Sequence, residues 1–497
     1  MNPRTRLILY ALAGAALAVA VGIKVADEEF GLVALLALVS TWLIVKRVSV
    51  VPPEAWLLAF ALVGYIVGNR GFAQMQPAPS IPLLPAEAAL LVAVPTLAFR
   101  VIFRESPGWR GDLLNYGILA WMLIGTARLP FDIRSYGVVA LRDYAMIYYA
   151  AFFFVAQDYA TASPAARLLR RSLTIAFVLL VPVVVSILIA PDFLVAHLTW
   201  HGIPIIYHKS DLIATSLGAA FFWLWTRRQQ SGHRRWQLLA AASLLLIAVM
   251  ASPRAGMFAV FVTTILWVAS GRWRIAAAQA GIVAAAGLVA VAAALFSHED
   301  FHTSLPYSMY EHVISFFDPA GHGTYVNNAS GDLGGNNQFR LIWWRDVVED
   351  TLATHPVAGQ GFGSDLSARF LVDFDLLSDE TFAARSPHSM IVTVIGRMGL
   401  LGLAAWLALS AGAATLVWRL FKAGGPDQLG LASVVCVVGV SAYFGVVLEG
   451  PMGAVAFWTA LGLASAQARE LAPSGLVSPQ TRYSATASAE WHVAKGS

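Results

Sequence analysis

The sequence is organised around two nearby stretches, NNQFRLIWWRDVVEDTLATHPVAGQGFGSD at residues 336–365 and RSPHSMIVTVIGRMGLLG at residues 385–402. They close the only long polar segment in the body of the chain and run into a hydrophobic helix. Ser386 can cap that helix and Pro387 suits its first position, which places His388 in the first turn. Because the positive end of a helix dipole disfavours imidazolium, we expect a neutral His388.

The composition is that of a polytopic membrane protein. Of 497 residues, 58% are hydrophobic and only 12% are charged, and the mean hydropathy is +0.67. These values exclude an ordinary soluble chain. The net charge of +4 could suggest a nucleic-acid partner, but the basic residues sit in short loops between apolar runs. Membrane topology explains them better, so no nucleic-acid binding is expected.

The apolar runs predict an all-α transmembrane bundle of about 12–14 spans. The first run follows Arg4 and Arg6 but is long for the core of a signal peptide, so we interpret it as a retained span. The predicted spans are Leu7–Ala26, Phe30–Val45, Glu54–Gly68, Ile81–Phe103, Leu113–Thr126, Gly137–Gln157, Ser172–Ala190, Asp211–Thr226, Trp236–Ala251, Arg254–Ala269, Ile275–Phe296, Ser389–Trp418, Gln428–Val447 and Gly453–Ala468.

The basic residues alternate from loop to loop, which is typical of the positive-inside rule. With a cytoplasmic N-terminus, the inner loops carry Lys46, Arg47, Arg104, Arg110, Arg167, Arg170, Arg171, Arg227, Arg228, Arg234, Arg235, Arg272, Arg274, Arg419 and Lys422. The opposite loops carry mainly acidic residues. The pattern predicts a membrane protein with both termini on the cytoplasmic side and the long polar segment on the opposite side.

Four regions follow from this topology. N-terminal transmembrane helices occupy residues 1–296, a large outer loop residues 297–387, and C-terminal transmembrane helices residues 388–470. The remainder, 471–497, is rich in Ser, Ala and Thr and is expected to be a disordered cytoplasmic tail. The outer loop is acidic, with 13 Asp or Glu against four Arg, and contains one clear amphipathic helix at about Gln338–Thr354.

Two arginines in outer segments are the main candidates for binding an anion. Arg340 shares a helix face with Trp343, Trp344 and Val347, so it either stacks on tryptophan at the membrane interface or presents a guanidinium fork to a diphosphate. Arg254 lies in the short outer loop ASPRAG, with no obvious partner nearby in sequence. A lone cation at the outer end of a bundle is a functional candidate, although it can also merely end a helix.

Other polar groups near the outer ends of spans are weaker candidates for a functional role. Arg142 and Asp143 could pair with each other, and Glu87 and Glu449 could be structural or functional. The histidines show no zinc-binding spacing such as HExxH, and phosphate-binding and nucleophile-elbow motifs are not found. We therefore predict no metal site and no cofactor. The single cysteine, Cys436, lies in an apolar run and is interpreted as a core residue.

A family resemblance rests on three elements in order. His388-Ser389, nine residues, Gly399, two residues and Gly402 resemble the H[NSQ]x9Gxx[GTY] signature of the O-antigen ligase and polymerase superfamily. The upstream FRLIWWRD and HPVAGQGFG are similar to that family's Arg-bearing helix followed by His-Pro and spaced glycines. SPRAG at residues 252–256 is similar to its short outer loop with an arginine.

The resemblance implies a metal-independent glycosyltransferase of the GT-C type that uses an undecaprenyl-diphosphate-linked glycan on the periplasmic side of the membrane. It also implies a location in the bacterial inner membrane, with the large outer loop, residues 297–387, in the periplasm. By that resemblance His388 is the general base that deprotonates the acceptor hydroxyl. Arg254 and Arg340 hold the diphosphate leaving group. Arg142 and Arg385 are expected to support the site.

The resemblance leaves the subfamily open. A ligase that transfers O-antigen to a lipid A-core acceptor is the leading interpretation, and a polymerase that joins lipid-linked repeat units is close behind. A protein O-oligosaccharyltransferase is less favoured, because a long extra C-terminal outer domain is not found. A secondary transporter is also less favoured, since it would require inverted repeats and charges near the bilayer midplane.

Overall fold

The computed structural model describes residues 50–76, 83–103, 110–159, 163–249, 254–296, 301–315, 317–318, 320–326, 333–373 and 385–469. The predicted spans Leu7–Ala26 and Phe30–Val45 and the tail 471–497 lie outside these ranges. So do the first residues of the ASPRAG loop and residues 374–384 of the long polar segment.

Helices account for nearly all regular structure in the described ranges. They are α1 (Pro53–Gly68), α2 (Pro85–Ile102), α3 (Leu113–Tyr136), α4 (Val139–Tyr148), α5 (Ala151–Asp158), α6 (Pro164–Ile189), α7 (Pro191–His197), α8 (Ser210–Ser231), α9 (Arg234–Val249), α10 (Arg254–Ala269), α11 (Arg274–Phe296), α12 (Leu305–Ile314), α13 (Leu333–Thr354), α14 (Ala368–Asp373), α15 (Met390–Ala423), α16 (Pro426–Ala442) and α17 (Pro451–Ala468). Before α8, strands β1 (Thr199–Trp200) and β2 (Ile203–Pro204) form a short antiparallel hairpin.

The predicted all-α polytopic bundle is confirmed. Among the described residues, five segments are long and apolar enough to cross a membrane: α2, the α4–α5 pair, α6, most of α11, and α15. Helices α1, α10 and α16 are apolar but shorter. The predicted number of 12–14 spans extends into residues outside the described ranges and stays a prediction.

Helix α8 lies at the centre of the bundle, where it packs against α6, α9, α10 and α16. Helix α15 packs along α3, and α17 packs against α5 and α16. Small residues allow these close approaches, as they commonly do between membrane helices. A Cβ atom added to Gly117 of α3 would lie 2.6 Å from the amide nitrogen of Leu409, so the α3–α15 contact depends on glycine there.

Several predicted spans differ in length or continuity from the observed helices. Helix α3 continues past Thr126 to Tyr136, and α6 begins at Pro164 rather than Ser172. The predicted span Gly137–Gln157 is divided into α4 and α5 by a turn at Tyr149 and Ala150. Helix α15 is broken at Gly399, whose φ of 62° is a left-handed conformation that glycine adopts most easily.

The long polar segment contains helices α12, α13 and α14, which confirms the predicted amphipathic helix, although α13 begins at Leu333 rather than Gln338. Helix α13 packs on α14 and α15. A small hydrophobic cluster of its own fixes this packing, formed by Trp343, Val347, Leu366, Phe370 and Val392. The cluster holds α13 above the start of α15, where His388 lies.

Candidate active site

His388 immediately precedes helix α15 rather than occupying its first turn. The helix begins at Met390 with Ser389 at the N-cap, and His388 has a left-handed φ of 54°. The predicted cap at Ser386 is wrong, because the Ser386 hydroxyl donates instead to Glu449 Oε1 at 2.7 Å. A non-glycine residue in this conformation is held there by its surroundings, which is common at functional sites.

Helix α13 provides much of that surrounding structure through two adjacent tryptophans. The ring of Trp343 meets the His388 imidazole edge to face, with centroids 6.1 Å apart and planes at 89°. Trp344 donates its indole N–H to the Pro387 carbonyl oxygen at 2.5 Å. The position of the His388 ring and of its backbone is therefore set from α13.

The imidazole is neutral at physiological pH. The pKa of His388 is lowered to about 4, mainly by burial and also by the positive charges of Lys209 and Arg340, while Asp211 acts in the opposite direction. Sequence reasoning predicted the neutral form but attributed it to the helix dipole. The main cause is removal from water, which disfavours the charged imidazolium.

Lys209 and Asp211 flank the same site and were not identified from sequence. They form an ion pair of 3.4 Å at the start of α8, directly after the β1–β2 hairpin. Their charges act on the pKa of His388, and Asp211 also acts on that of Arg340. The sequence feature that could have identified them is a charged pair at the beginning of an apolar helix. Their proximity to His388, however, depends on the packing of α8 in the folded protein.

The two predicted anion-binding arginines line one cavity of about 270 Å³ between α10 and α13. Arg254 donates to Asn337 Oδ1 at 2.6 Å and to Ser315 Oγ at 3.2 Å, and Arg340 donates to the Phe444 carbonyl at 3.1 Å. These acceptors are all uncharged. Because the guanidinium groups are held by neutral partners, the cavity retains a strong preference for an anion.

An apolar path continues from this cavity into the bundle. Residues Arg254, Phe258, Val262 and Leu266 recur every turn on one face of α10 and line three cavities in succession. Phe258 is shared by the arginine cavity and a second cavity of about 530 Å³, and Val262 by the second and a third of about 400 Å³. The second cavity also reaches Ser389, next to His388.

The glycine-rich turn supports the site from the opposite side of α15. Gly359, Gly361 and Gly363 all have positive φ, and the turn pairs with the break in α15. The Gln360 amide donates to the Gly396 carbonyl at 2.6 Å, and the Leu400 amide donates to the Pro356 carbonyl at 2.8 Å. The glycines of α15 therefore allow close contact with this turn.

A buried charge network joins the turn, α15 and the His388 segment. Arg397 forms an ion pair of 2.8 Å with Asp143, which also accepts from the Gly363 amide at 2.9 Å. Glu449 accepts from Thr393 Oγ1 at 3.0 Å in addition to Ser386, and burial raises its pKa. Arg397 was missed from sequence, although a charge inside an apolar helix is a recognised signal.

The remaining predicted residues occupy different positions. Arg385 donates to the Gly363 carbonyl at 2.8 Å and so supports the glycine turn. The predicted pairing of Arg142 with Asp143 is wrong, because Asp143 pairs with Arg397 and Arg142 is exposed. Glu87 accepts hydrogen bonds from two tyrosine hydroxyls, those of Tyr148 and Tyr149.

Within the described ranges, His, Cys, Asp and Glu side chains do not form any group of three that could hold a metal ion. Metal independence remains a prediction. The assembled elements are a neutral imidazole, two arginines facing one cavity, and an apolar path leading from that cavity. Such a set can accept a proton from a hydroxyl, hold an anionic leaving group and accommodate an apolar chain.

Residues 239–407 match the family model described as O-antigen ligase. None of the curated proteins matches the chain significantly. The matched range contains Arg254, Arg340 and His388, together with the glycine-rich turn and the break in α15. This match supports the O-antigen ligase and polymerase superfamily for that part of the chain.

Proposed function

We propose that the protein is an inner-membrane O-antigen ligase that moves a glycan from an undecaprenyl-diphosphate donor to a hydroxyl of lipid A-core on the periplasmic side. The observation that carries this proposal is the shared cavity of Arg254 and Arg340 beside a neutral His388. The diphosphate, the polyprenyl chain and the acceptor proton each have a matching group in this arrangement.

The arginine cavity suits the diphosphate. A guanidinium group can donate two parallel hydrogen bonds to phosphate oxygens, and two such groups from different helices can hold both phosphates. Burial of Arg340 lowers its pKa, but the guanidinium remains charged because its ordinary pKa is so high. Fixed cations in a site of reduced water content stabilise the negative charge that develops on the departing diphosphate.

The apolar path suits the polyprenyl chain. It begins at Arg254 and follows the face of α10 through Phe258 and Val262 to Leu266. Three turns of helix separate its ends, which is about 18 Å at 1.5 Å per residue. A lipid-linked donor needs such a continuous surface, since its tail must stay in an apolar environment while its head group reaches the arginines.

His388 is assigned the role of general base. The neutral imidazole accepts the proton of the acceptor hydroxyl as the hydroxyl oxygen forms a bond to the anomeric carbon of the donor sugar. The bond between that carbon and the diphosphate oxygen breaks, and undecaprenyl diphosphate leaves with the electron pair. The proton on His388 then passes to solvent or to the leaving group, which restores the base.

The test is the glycan profile of cells that lack the protein, with lipid A-core and lipid-linked material analysed separately. A ligase predicts bare core and full-length polymer on undecaprenyl diphosphate. Single repeat units, on core or still lipid-linked, would instead identify a polymerase. An unchanged profile would contradict both assignments.

Complementation with variants tests the base in the same cells. His388→Ala should restore no transfer while accumulating in the membrane at the wild-type level. His322→Ala, an exposed histidine of the same outer segment, is the matched control and should restore full transfer. Normal transfer by His388→Ala would refute the proposed role of His388.

A further inference from the structure

Helix α12 of the long polar segment is amphipathic in the direction opposite to that of a helix on a water-exposed surface. Its inward side is polar, and the side chains at most 6% exposed are Ser304, Ser308, Glu311, His312 and Ser315. Its outward side is apolar, and the side chains 39–86% exposed are Tyr310, Val313, Ile314 and Phe317. These four residues, here called the apolar stripe, follow the spacing of one helix face. A helix facing water would bury such a stripe.

Hydrogen bonds to the rest of the protein hold the polar side of α12 inward. The Val326 amide donates to Glu311 Oε1 at 2.5 Å. Ser315 accepts twice, at its hydroxyl from Arg254 at 3.2 Å and at its carbonyl from Asn337 at 3.1 Å. Because these contacts fix the rotation of α12 about its axis, the apolar stripe is left facing outward.

The apolar stripe continues the outward surface of a membrane-spanning helix. Helix α12 packs on α11, whose span is long and apolar enough to cross a membrane and has only 11% of its residues buried in the protein. Leu288, Val289 and Phe296 are among its exposed side chains. In a spanning helix such side chains contact acyl chains. The apolar stripe therefore borders lipid, at the end of the bundle where Ser315 contacts Arg254.

The composition of α12 also fits a membrane interface. All four side chains of the apolar stripe are uncharged. The ring of Tyr310 lies 5.8 Å from that of Tyr307, which lies 6.0 Å from that of Phe301. Tyrosine is favoured at the interface, where its ring contacts lipid and its hydroxyl contacts water or headgroups. With 10 residues, α12 is too short to cross the bilayer and can only lie along its surface.

We propose that α12 lies in the interfacial region of the membrane leaflet on the His388 side, with the apolar stripe among the lipid chains. Burial of apolar surface in lipid drives this immersion, so it requires no anionic headgroup. The partner of α12 is thus the bilayer itself.

Immersion of α12 also sets the depth of Arg254 in the membrane. Ser315 lies on the inward side of the helix and accepts from Arg254, so a helix held at the interface holds this guanidinium near the level of the lipid headgroups. The diphosphate of a polyprenyl donor lies at the same level, because its tail stays in the lipid. This consequence rests on the proposed function, whereas the immersion of α12 does not.

Fluorescence quenching of the full-length protein in nanodiscs tests the proposal. Cys436→Ala removes the one native thiol, and a bimane probe is attached at Val313→Cys or Phe317→Cys. We expect phospholipids brominated near the start of their acyl chains to reduce the emission of both probes, and aqueous iodide to leave it nearly unchanged. Thr324→Cys, at an exposed position of the same polar segment, is the matched control and should show the reverse.

The same labelled proteins separate lipid from the other possible coverings. Equal quenching by iodide at Val313 and Thr324 would overturn the immersion and leave the apolar stripe in water. A second copy of the chain on the stripe would give excimer emission from pyrene at Phe317→Cys, in vesicles at low protein density, and would overturn the assignment to lipid. We expect only monomer emission. None of these readouts uses glycan transfer, so failure of the proposed function would leave them unchanged.

Discussion

Trp344 donates its indole N–H to the carbonyl of Pro387 at 2.5 Å, so α13 fixes the backbone that presents His388. The same helix carries Arg340 one turn earlier, and Trp344 lines the cavity that Arg340 shares with Arg254. The proposed base and the proposed diphosphate site are therefore connected through one side chain. A change at Trp344 should disturb their relative position without removing either group.

The first prediction concerns Trp344→Phe, which keeps an aromatic ring in the cavity wall and removes the N–H donor. Loss of one hydrogen bond should lower the free energy of unfolding by only about 0.5–1.5 kcal/mol. Glycan transfer should fall further, by roughly tenfold, because catalysis depends on the orientation of His388. Initial rates of transfer by the purified protein measure this, with the exposed Trp273→Phe as control. Equal rates in the two variants would show that the hydrogen bond does not position the base.

The second prediction concerns Arg340→Lys. Lysine retains the positive charge but cannot donate two parallel hydrogen bonds to phosphate oxygens. We expect transfer to fall about 10²-fold, similar to the loss of one donor that stabilises a transition-state charge. Arg345→Lys is the matched control, since Arg345 lies on the same helix with its side chain 69% exposed. Full activity of Arg340→Lys would reduce Arg340 to a packing residue at the membrane interface.

The third prediction concerns pH. Burial lowers the pKa of His388 to about 4, so the imidazole stays neutral and able to accept a proton down to that pH. Transfer rates should therefore show no decline attributable to this base near pH 6.5, where an ordinary histidine titrates. The rate profile of the purified protein between pH 4.5 and 8 measures this. The prediction is contradicted if the transfer rate declines with a midpoint near pH 6.5 and this decline persists when each of the other histidines is replaced.

The same lowered pKa makes stability depend on pH. Below pH 6.5 the unfolded chain binds a proton at His388 that the folded protein does not bind until about pH 4. The free energy of unfolding is therefore not reduced by His388 above pH 6.5, and it decreases as the pH falls from 6.5 towards 4. Replacement by glutamine, which cannot titrate, should remove this part of the pH dependence of unfolding.

Much of the fold could be predicted from sequence because it depends on local patterns. The apolar runs predicted the helical bundle, and the amphipathic pattern around Trp343 predicted helix α13. The helix-start signal at Ser386 failed, because Glu449, distant in sequence, binds its hydroxyl. Lys209 and Asp211 were missed for the same reason, since only the packing of α8 brings them to His388.

The last prediction concerns the ion pair of Asp143 with Arg397, which replaces the pairing with Arg142 that adjacency in sequence suggested. Arg397 is almost fully buried, so removing its partner leaves a cation with too little compensation. We expect Asp143→Asn to destabilise the folded protein by about 3–5 kcal/mol. Arg142→Gln, at an exposed position beside Asp143, should leave stability unchanged.

A double-mutant cycle of Asp143→Asn with Arg397→Gln should give a coupling of about 1–3 kcal/mol in thermal or denaturant unfolding. A larger coupling between Asp143 and Arg142 would restore the pairing expected from the sequence. It would also contradict the link that Asp143 makes between Arg397 and the glycine-rich turn through the Gly363 amide.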